Sequence, residues 1–123
     1  MPLLSSRLLI AICLIFACGA ALAEDSFGAI SYSRGRGVYS TALNMPTRGA
    51  AERLALTACG RMSHDCSSPV WVLNGCVSIA IGRANGFGSG WGSTRSSAEW
   101  EALAVCERHA RSCTVRHTAC TGE

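Results

Sequence analysis

The stretch Phe27–Ser33 alternates small and apolar residues in the manner typical of a β-strand. An Arg-Gly-Arg-Gly sequence at 34–37 predicts a turn, and residues 38–43 return as a second strand. An Asn-Met-Pro sequence at 44–46 then breaks the pattern. This part of the chain is therefore predicted to form a β-hairpin.

Apolar positions recur at helical spacing between residues 48 and 59. Thr47 is a suitable N-cap for this helix, and Gly60 suits the position just after its end. The face predicted to point inward consists of Ala51, Leu54, Ala55 and Ala58. A short strand at 70–73 completes a ββαβ unit.

The same plan recurs 47 residues further along the chain, because residues 28–66 fall without a gap onto residues 75–113. The superposition brings two pairs of cysteines into register, Cys59 with Cys106 and Cys66 with Cys113. Such a repeat indicates an internal duplication in which each half is one supersecondary unit.

The second unit is predicted to contain strands at Cys76–Ile81 and 87–91, a helix that ends near 108, and a strand at 114–119. Thr94 or Ser96 is expected to cap the helix, and Ser96 with Glu99 has the spacing of a capping box.

The predicted fold class is α+β, with two ββαβ repeats in pseudo-twofold symmetry and antiparallel sheet packed by two helices. We expect one domain over residues 24–123, with repeat one at about 27–73 and repeat two at about 75–120. A domain of this size buries a limited core, so covalent cross-links are expected to contribute much of its stability.

Residues 1–23 have the features of a signal peptide. Arg7 gives a positive start, residues 8–16 are apolar, and Ala21-Leu22-Ala23 is a cleavage pattern that would leave Glu24 at the mature end. Lipidation at Cys18 is an alternative, although Phe16 suits a lipobox poorly. The short signal and the absence of an Asn-x-Ser/Thr sequon favour a periplasmic or secreted bacterial protein.

Six cysteines follow the signal, an even number that is typical of a disulfide framework in an exported protein. Equivalent positions of a duplicated fold should form equivalent bonds, which predicts Cys59–Cys66 and Cys106–Cys113 and leaves Cys76–Cys120. The repeat-one counterparts of this last pair are Ala29 and Leu73, which should then be neighbours on adjacent strands.

The charge of the chain argues against nucleic acid as a partner. All eleven basic side chains are arginine, and loss of Arg7 with the signal leaves ten against eight carboxylates. A net charge this small gives no basic footprint for nucleic acid. No membrane span is predicted in the mature chain, and its oligomeric state is left open.

Metal and cofactor sites are not expected. A zinc site can be drawn from Cys106, His109 and Cys113, but disulfide formation would consume the thiolates that it needs. The chain has neither CxxC nor HExxH spacing. We therefore predict no metal and no cofactor.

Candidate catalytic groups are few. Glu52 and Glu99 occupy matching positions, each four residues after an arginine, which favours a local ion pair in the helix over catalysis. His64, Asp65 and His117 are the remaining acid/base candidates. No enzymatic activity is expected, with a small hydrolase as the alternative.

The sequence Gly-Phe-Gly-Ser-Gly-Trp-Gly at 86–92 leaves one face of its strand without side chains. We expect a helix to cover that face, and a ligand groove with walls of Phe87 and Trp91 is the alternative. The residues singled out as binding candidates are Trp91, Trp100, Phe87, His64 and Asp65. Trp71 is the third large aromatic side chain.

Several of these segments resemble a known family. They are Phe-Gly-Ala-Ile-Ser-Tyr-Ser at 27–33, Ala-Cys-Gly at 58–60, Asn-Gly-Cys at 74–76 and Gly-Trp-Gly at 90–92, together with Asp65-Cys66, Cys106 and Cys113. The chain is thereby identified as a member of domain of unknown function family 4189. The resemblance implies a small exported bacterial domain with disulfides, and the family brings no established catalytic residues.

The function expected from these features is an exported, non-enzymatic module that binds a protein partner in the bacterial envelope or outside the cell. An inhibitor or immunity protein and a host-directed secreted factor are two forms of it. The alternative is a small secreted hydrolase that acts on cell-wall or host polymers.

Overall fold

The computed structural model of the protein describes residues 24–123. The predicted signal peptide, its cleavage after Ala23 and the lipidation alternative at Cys18 therefore lie outside the described residues.

Each half of the described chain contains three strands and one long helix. The first unit consists of β1 (Phe27–Ser33), β2 (Val38–Met45), α1 (Arg48–Gly60) and β3 (Cys66–Leu73). The second unit consists of β4 (Cys76–Ile81), β5 (Phe87–Gly92), α2 (Arg95–His109) and β6 (Thr114–Cys120), with a short 3-10 turn at Arg83–Asn85.

The strands form two antiparallel sheets of three strands, ordered β2-β1-β3 and β5-β4-β6. The α+β class and the two repeated ββαβ units are thus confirmed. The repeat does not predict that the three strands of each unit form a sheet of their own. The helices lie on the outer faces, α1 over the first sheet and α2 over the second.

The main core lies between the two sheets. Side chains alternate across a strand, so β1 and β4 each present large residues to the opposite sheet and small residues to their helix. The inter-sheet core contains Ile30, Tyr32, Val70, Val72, Val77, Ile79 and Ile81. Tyr32 lies near its centre, with its ring centroid 4.6 Å from that of Phe87, and its hydroxyl donates to the Asn85 carbonyl at 2.8 Å. Burial raises the pKa of this hydroxyl.

The helices contact their sheets through narrow stripes of small residues. On α1 the buried stripe is Ala51, Ala55 and Cys59, and on α2 it is Ala98, Ala102 and Cys106. The prediction that Leu54 points inward is wrong, because its side chain is 48% exposed. A helix that approaches a sheet through alanine contacts leaves no room beside the stripe for a leucine.

Close approach of α2 also explains the glycines of β5. A Cβ atom on Gly88 would collide with the backbone of Cys106, and one on Gly90 would collide with the Ala98 carbonyl. The expected helix therefore covers the bare face of β5.

The N-cap of each helix is a residue that the sequence predicts, Thr47 for α1 and Thr94 for α2, but the predicted capping box does not form. Thr47 Oγ1 accepts a hydrogen bond from Ala50 N at 3.0 Å, as predicted. The predicted capping box of Ser96 and Glu99 is wrong, because Thr94 is the N-cap and its partner is Ser97. The Ser97 hydroxyl accepts a hydrogen bond from the Thr94 backbone amide at 3.3 Å.

The three disulfides are Cys59–Cys66, Cys106–Cys113 and Cys76–Cys120. This is the pairing that the repeat predicts. In the two equivalent bonds the Cα atoms lie 6.1 Å apart. Each of them ties the end of a helix to the strand that follows it.

The third disulfide joins residues that pair directly across β4 and β6. Cys76 is equivalent to Ala29, and Ala29 pairs with Trp71. The expectation that Leu73 is the counterpart of Cys120 is therefore wrong. The two ladders differ in register by two residues at their other end as well: Ser33 pairs with Cys66, whereas its equivalent Ala80 pairs with Val115 rather than with Cys113.

Candidate functional site

Two grooves lie along β5, an edge strand of the second sheet, and the first of them lies where β5 meets the edge strand β3 of the first sheet. The first has a volume of about 350 Å³. Its lining is apolar apart from the backbone and the indole N–H groups, and consists of Pro69, Val70, Trp71, Val72, Leu73 and Trp91. We call this the tryptophan groove.

Strand alternation places the two tryptophans on different faces of their sheets. Trp71 lies opposite Ala29 and shares the helix-facing side, whereas Trp91 lies opposite Val77 and shares the inter-sheet side. Both strands are sheet edges within residues 24–123, so each tryptophan has no neighbouring strand on its outer flank there. Trp71 is 37% exposed and Trp91 is 58% exposed, above the buried Val70 and Val72.

Trp71 is held in place by its neighbours. The Arg48 guanidinium carbon lies 4.5 Å from the centre of the Trp71 ring, and the Phe27 ring stacks at 6.2 Å. Arg48 Nε in turn donates to Glu52 Oε1 at 2.6 Å, so that Glu52 forms the local ion pair that its spacing predicts. A cation over an indole face and a fixed counter-ion together restrict the rotation of the ring.

The matching pair in unit two does not form. Arg95 pairs with Glu123 at the end of the chain rather than with Glu99. The predicted ion pair is therefore present in unit one and absent from the equivalent place in α2.

The second groove has a volume of about 400 Å³ and lies at the other end of β5. It is lined by Arg34, Gly86, Phe87, Gly88, Ser89, Val105 and His109. We call it the arginine groove, since Arg34 projects from the exposed β1–β2 turn. Phe87 supplies its apolar floor while its ring also packs against Tyr32 in the core.

The two grooves meet where Ser89 Oγ donates to the Pro69 carbonyl at 3.4 Å. Ser89 lines the arginine groove and Pro69 lines the tryptophan groove. The grooves are thus neighbouring parts of one surface along β5.

Asp65 serves a different purpose. Its carboxylate accepts hydrogen bonds from Ser33 Oγ, from Ser63 Oγ at 2.7 Å and from the Gly35 amide at 2.7 Å. These bonds, that from Ser33 foremost, lower the pKa of Asp65 to about 2. The carboxylate therefore fastens the β1–β2 turn to the loop after α1, and its oxygens are already occupied.

The remaining candidates lie apart from the grooves. His64 is exposed beside Asp65, and Trp100 is 76% exposed on the outer side of α2. His117 stacks on the Tyr39 ring, with centroids 5.2 Å apart. Of the five predicted binding residues, the structure thus brings Trp91 and Phe87 to the surface along β5.

Sequence reasoning did not assign Trp71, Arg34 or His109 to this surface. For Trp71 a signal was present, because valines at 70 and 72 alternate with Trp71 and Leu73, which indicates one buried and one outward face. For Arg34 and His109 there was none, since only the tertiary fold brings the first hairpin turn beside the end of α2.

Within residues 24–123, no group of three or more His, Cys, Asp and Glu side chains is arranged to hold a metal ion. The described helices also include none that is long and apolar enough to cross a membrane.

The fold and its cross-links define the class as a disulfide-bonded α+β domain made of two ββαβ units. Residues 27–120 match the family model described as Domain of unknown function (DUF4189), and the chain belongs to that family. Comparison with curated proteins and with solved structures gives no match.

Proposed function

We propose that the protein is an exported, non-enzymatic interaction module that binds a protein partner through the tryptophan groove. The observation that carries this proposal is the exposure of Trp71 and Trp91 in one apolar groove of about 350 Å³. Large apolar side chains grouped on a surface are typical of protein interfaces, and tryptophan is the residue type most enriched among their energetic centres.

The scaffold supports this role because it is rigid before binding. The Cys59–Cys66 disulfide anchors the start of β3, and the Cys76–Cys120 disulfide ties β4 to β6. Arg48 and Phe27 hold the Trp71 ring. A surface that is already ordered loses less conformational entropy when a partner binds.

The compartment follows from the cross-links and the leader. Three disulfides are typical of an oxidising compartment. Together with the signal peptide expected at 1–23, they support a periplasmic or secreted location. An inhibitor or immunity protein against a toxic protein, or a secreted factor directed at a host, would both use such a module.

The hydrolase alternative finds less support in the contacts. The oxygens of Asp65 are taken by Ser33, Ser63 and Gly35. Across the described chain, no histidine side chain hydrogen-bonds to a serine or a carboxylate. The binding proposal therefore rests on an arranged surface, whereas the alternative rests on separate residues.

Affinity capture with matched variants tests the proposal. The mature chain, its Trp91→Ala variant and its Trp100→Ala variant are used to capture proteins from periplasmic extract and from culture supernatant. We expect a specific partner to be retained by the parent and by Trp100→Ala and to be lost with Trp91→Ala, because Trp100 lies outside the groove. Equal capture by both variants, or turnover of a cell-wall polymer by the purified chain with no partner, would contradict the proposal.

A further inference from the structure

The dimensions of the paired grooves fit an extended chain. Both lie along β5, with Trp91 in the tryptophan groove and Phe87 in the arginine groove. The four steps along the strand from Phe87 to Trp91 span about 13 Å at 3.3 Å per residue. The opposite wall of the tryptophan groove is five consecutive residues of β3, at 69–73. An extended segment of about five residues would occupy both grooves.

The charges of the paired grooves are one-sided. Arg34 and His109 line the arginine groove, and neither groove is lined by an aspartate or glutamate. In the part of the chain that the structure describes, Arg34 has no ion-pair partner. Arg48, at the tryptophan groove, is already paired with Glu52. The unpaired guanidinium that is available to a partner, that of Arg34, therefore lies only in the arginine groove.

The lining of the tryptophan groove indicates the chemistry that a partner would need. Apart from the indole N–H groups of Trp71 and Trp91, its side chains are apolar. It offers indole faces and aliphatic side chains to an apolar anchor, and the guanidinium of Arg34 offers a carboxylate a fork of donors about four residues away.

We propose that these two grooves bind one extended acidic segment of a protein partner. An aromatic or aliphatic side chain of the segment lies in the tryptophan groove, and a carboxylate four positions along it reaches Arg34. This inference rests on the proposed function and adds the chemistry of the partner to it.

Fluorescence polarisation with a defined peptide tests this chemistry. The probe is a capped, labelled octapeptide with one tryptophan and one aspartate four positions apart in a serine–threonine background. A second probe carries asparagine in place of the aspartate. The protein is the mature chain in its parent form and as Arg34→Glu or Arg36→Glu, with circular dichroism to verify that each variant is folded. Arg36 lies on the same turn, is exposed and lines neither groove, which makes it the matched control.

We expect the aspartate probe to bind the parent about fivefold more tightly than the asparagine probe, the upper range for a partly exposed ion pair. Arg34→Glu should remove this preference, and Arg36→Glu should preserve it. Trp91→Ala should weaken the binding of both probes. The preference should shrink as salt is raised, since the pair is screened.

Equal binding of the two probes, or equal effects of Arg34→Glu and Arg36→Glu, would overturn the inference. Absence of peptide binding while a Trp91-dependent partner is still captured would overturn the inference and leave the proposed function standing. Trp91-dependent binding to anionic lipid vesicles, or Trp91-dependent dimerisation in sedimentation, would assign the surface to a membrane or to a second copy and would equally overturn it.

Discussion

The two units differ at one cross-strand position next to a sheet edge. In unit two this position is the disulfide between Cys76 and Cys120, which pair across β4 and β6. In unit one Ala29 pairs with Trp71 across β1 and β3, and the tryptophan is partly exposed. One copy of the duplicated fold thus has a covalent cross-link at this position, and the other has a partly exposed tryptophan.

A second difference lies in how each hairpin turn is fastened. In unit one the Asp65 carboxylate bonds to Ser33, Ser63 and Gly35. In unit two the Arg111 carbonyl accepts a hydrogen bond from the Arg83 amide at 2.8 Å. A backbone hydrogen bond thus joins the hairpin turn of unit two to the loop after α2. The turn of unit one therefore depends on a titratable side chain and that of unit two does not.

Removal of the disulfide specific to unit two should have the largest effect. The double substitution Cys76→Ala with Cys120→Ala opens a cross-link between residues 44 apart. We expect it to lower the free energy of unfolding by about 4 kcal/mol, against about 2 kcal/mol for the seven-residue Cys59–Cys66 cross-link. Urea denaturation of the two double variants measures the difference.

At the equivalent position of unit one, substitution of Trp71 should affect partner binding more than stability. Trp71→Ala is expected to cost about 2 kcal/mol, less than loss of the disulfide, because the ring is 37% exposed, but to weaken partner binding. If Trp71→Ala destabilised the fold as much as loss of the Cys76–Cys120 bond, the contrast between the units would be wrong.

Gly88→Ala should have the next largest effect, about 3 kcal/mol of destabilisation, because its Cβ would collide with the Cys106 backbone. Val38 is the matched control: it pairs with Ser33 as Gly88 pairs with the equivalent Ala80, yet it tolerates a side chain. Val38→Ala should cost no more than about 1 kcal/mol. Thermal unfolding followed by circular dichroism compares them, and a loss from Gly88→Ala no larger than that from Val38→Ala would contradict the close approach of α2 to β5.

Much of the fold was readable from the sequence because local signals and the repeat agree. Periodicity gave both helices, and the repeat selected the disulfide pairing from Cys59, Cys66, Cys106 and Cys113. The repeat misled where the two copies differ in register. Ser31 pairs with Ser40 whereas its equivalent Ser78 pairs with Gly90, so the return strands correspond at an offset of 50 rather than 47.

The surface along β5 was only half predictable. Trp91 and Phe87 drew attention because they stand among glycines, but Arg34 reaches the same surface from the other unit. Such a contact depends on how the two sheets pack, and no local pattern in a sequence encodes it. Leu54 shows the same limit from the other side, since its exposure depends on how closely α1 lies on its sheet.

Asp65 makes unit one sensitive to acid. Its pKa of about 2 in the folded chain lies below the value of 3.8 expected without its hydrogen bonds, so the unfolded chain takes up the proton first. The stability that Asp65 contributes should therefore be complete above about pH 4 and lost as the pH falls toward 2. We expect this loss to be smaller than the effects of Cys76→Ala with Cys120→Ala or of Gly88→Ala, because the group is exposed.

Urea denaturation of the parent and of Asp65→Asn at a series of pH values measures this contribution. The two stability curves should converge as the pH falls from 4 to 2, since the asparagine does not titrate. Ser112→Ala, at the matching position of unit two, is the control and should run parallel to the parent at every pH. If the difference in free energy of unfolding between the parent and Asp65→Asn stayed constant down to pH 2, the hydrogen bonds of residue 65 would not depend on its charge.

The smallest effect concerns the ion pair beneath the exposed tryptophan. Glu52→Gln removes the partner of Arg48, and we expect a loss of about 0.4 kcal/mol, the usual size for an i,i+4 pair. The more informative readout is time-resolved tryptophan anisotropy, because Arg48 freed from Glu52 should hold the Trp71 ring less firmly. Glu99→Gln is the matched control in unit two, where Arg95 pairs with Glu123 instead, and it should change neither quantity. Equal anisotropy in the two variants would show that packing against Phe27 alone orients the Trp71 ring. The Arg48–Glu52 ion pair, which has no equivalent in unit two, would then contribute nothing to the orientation of the exposed tryptophan.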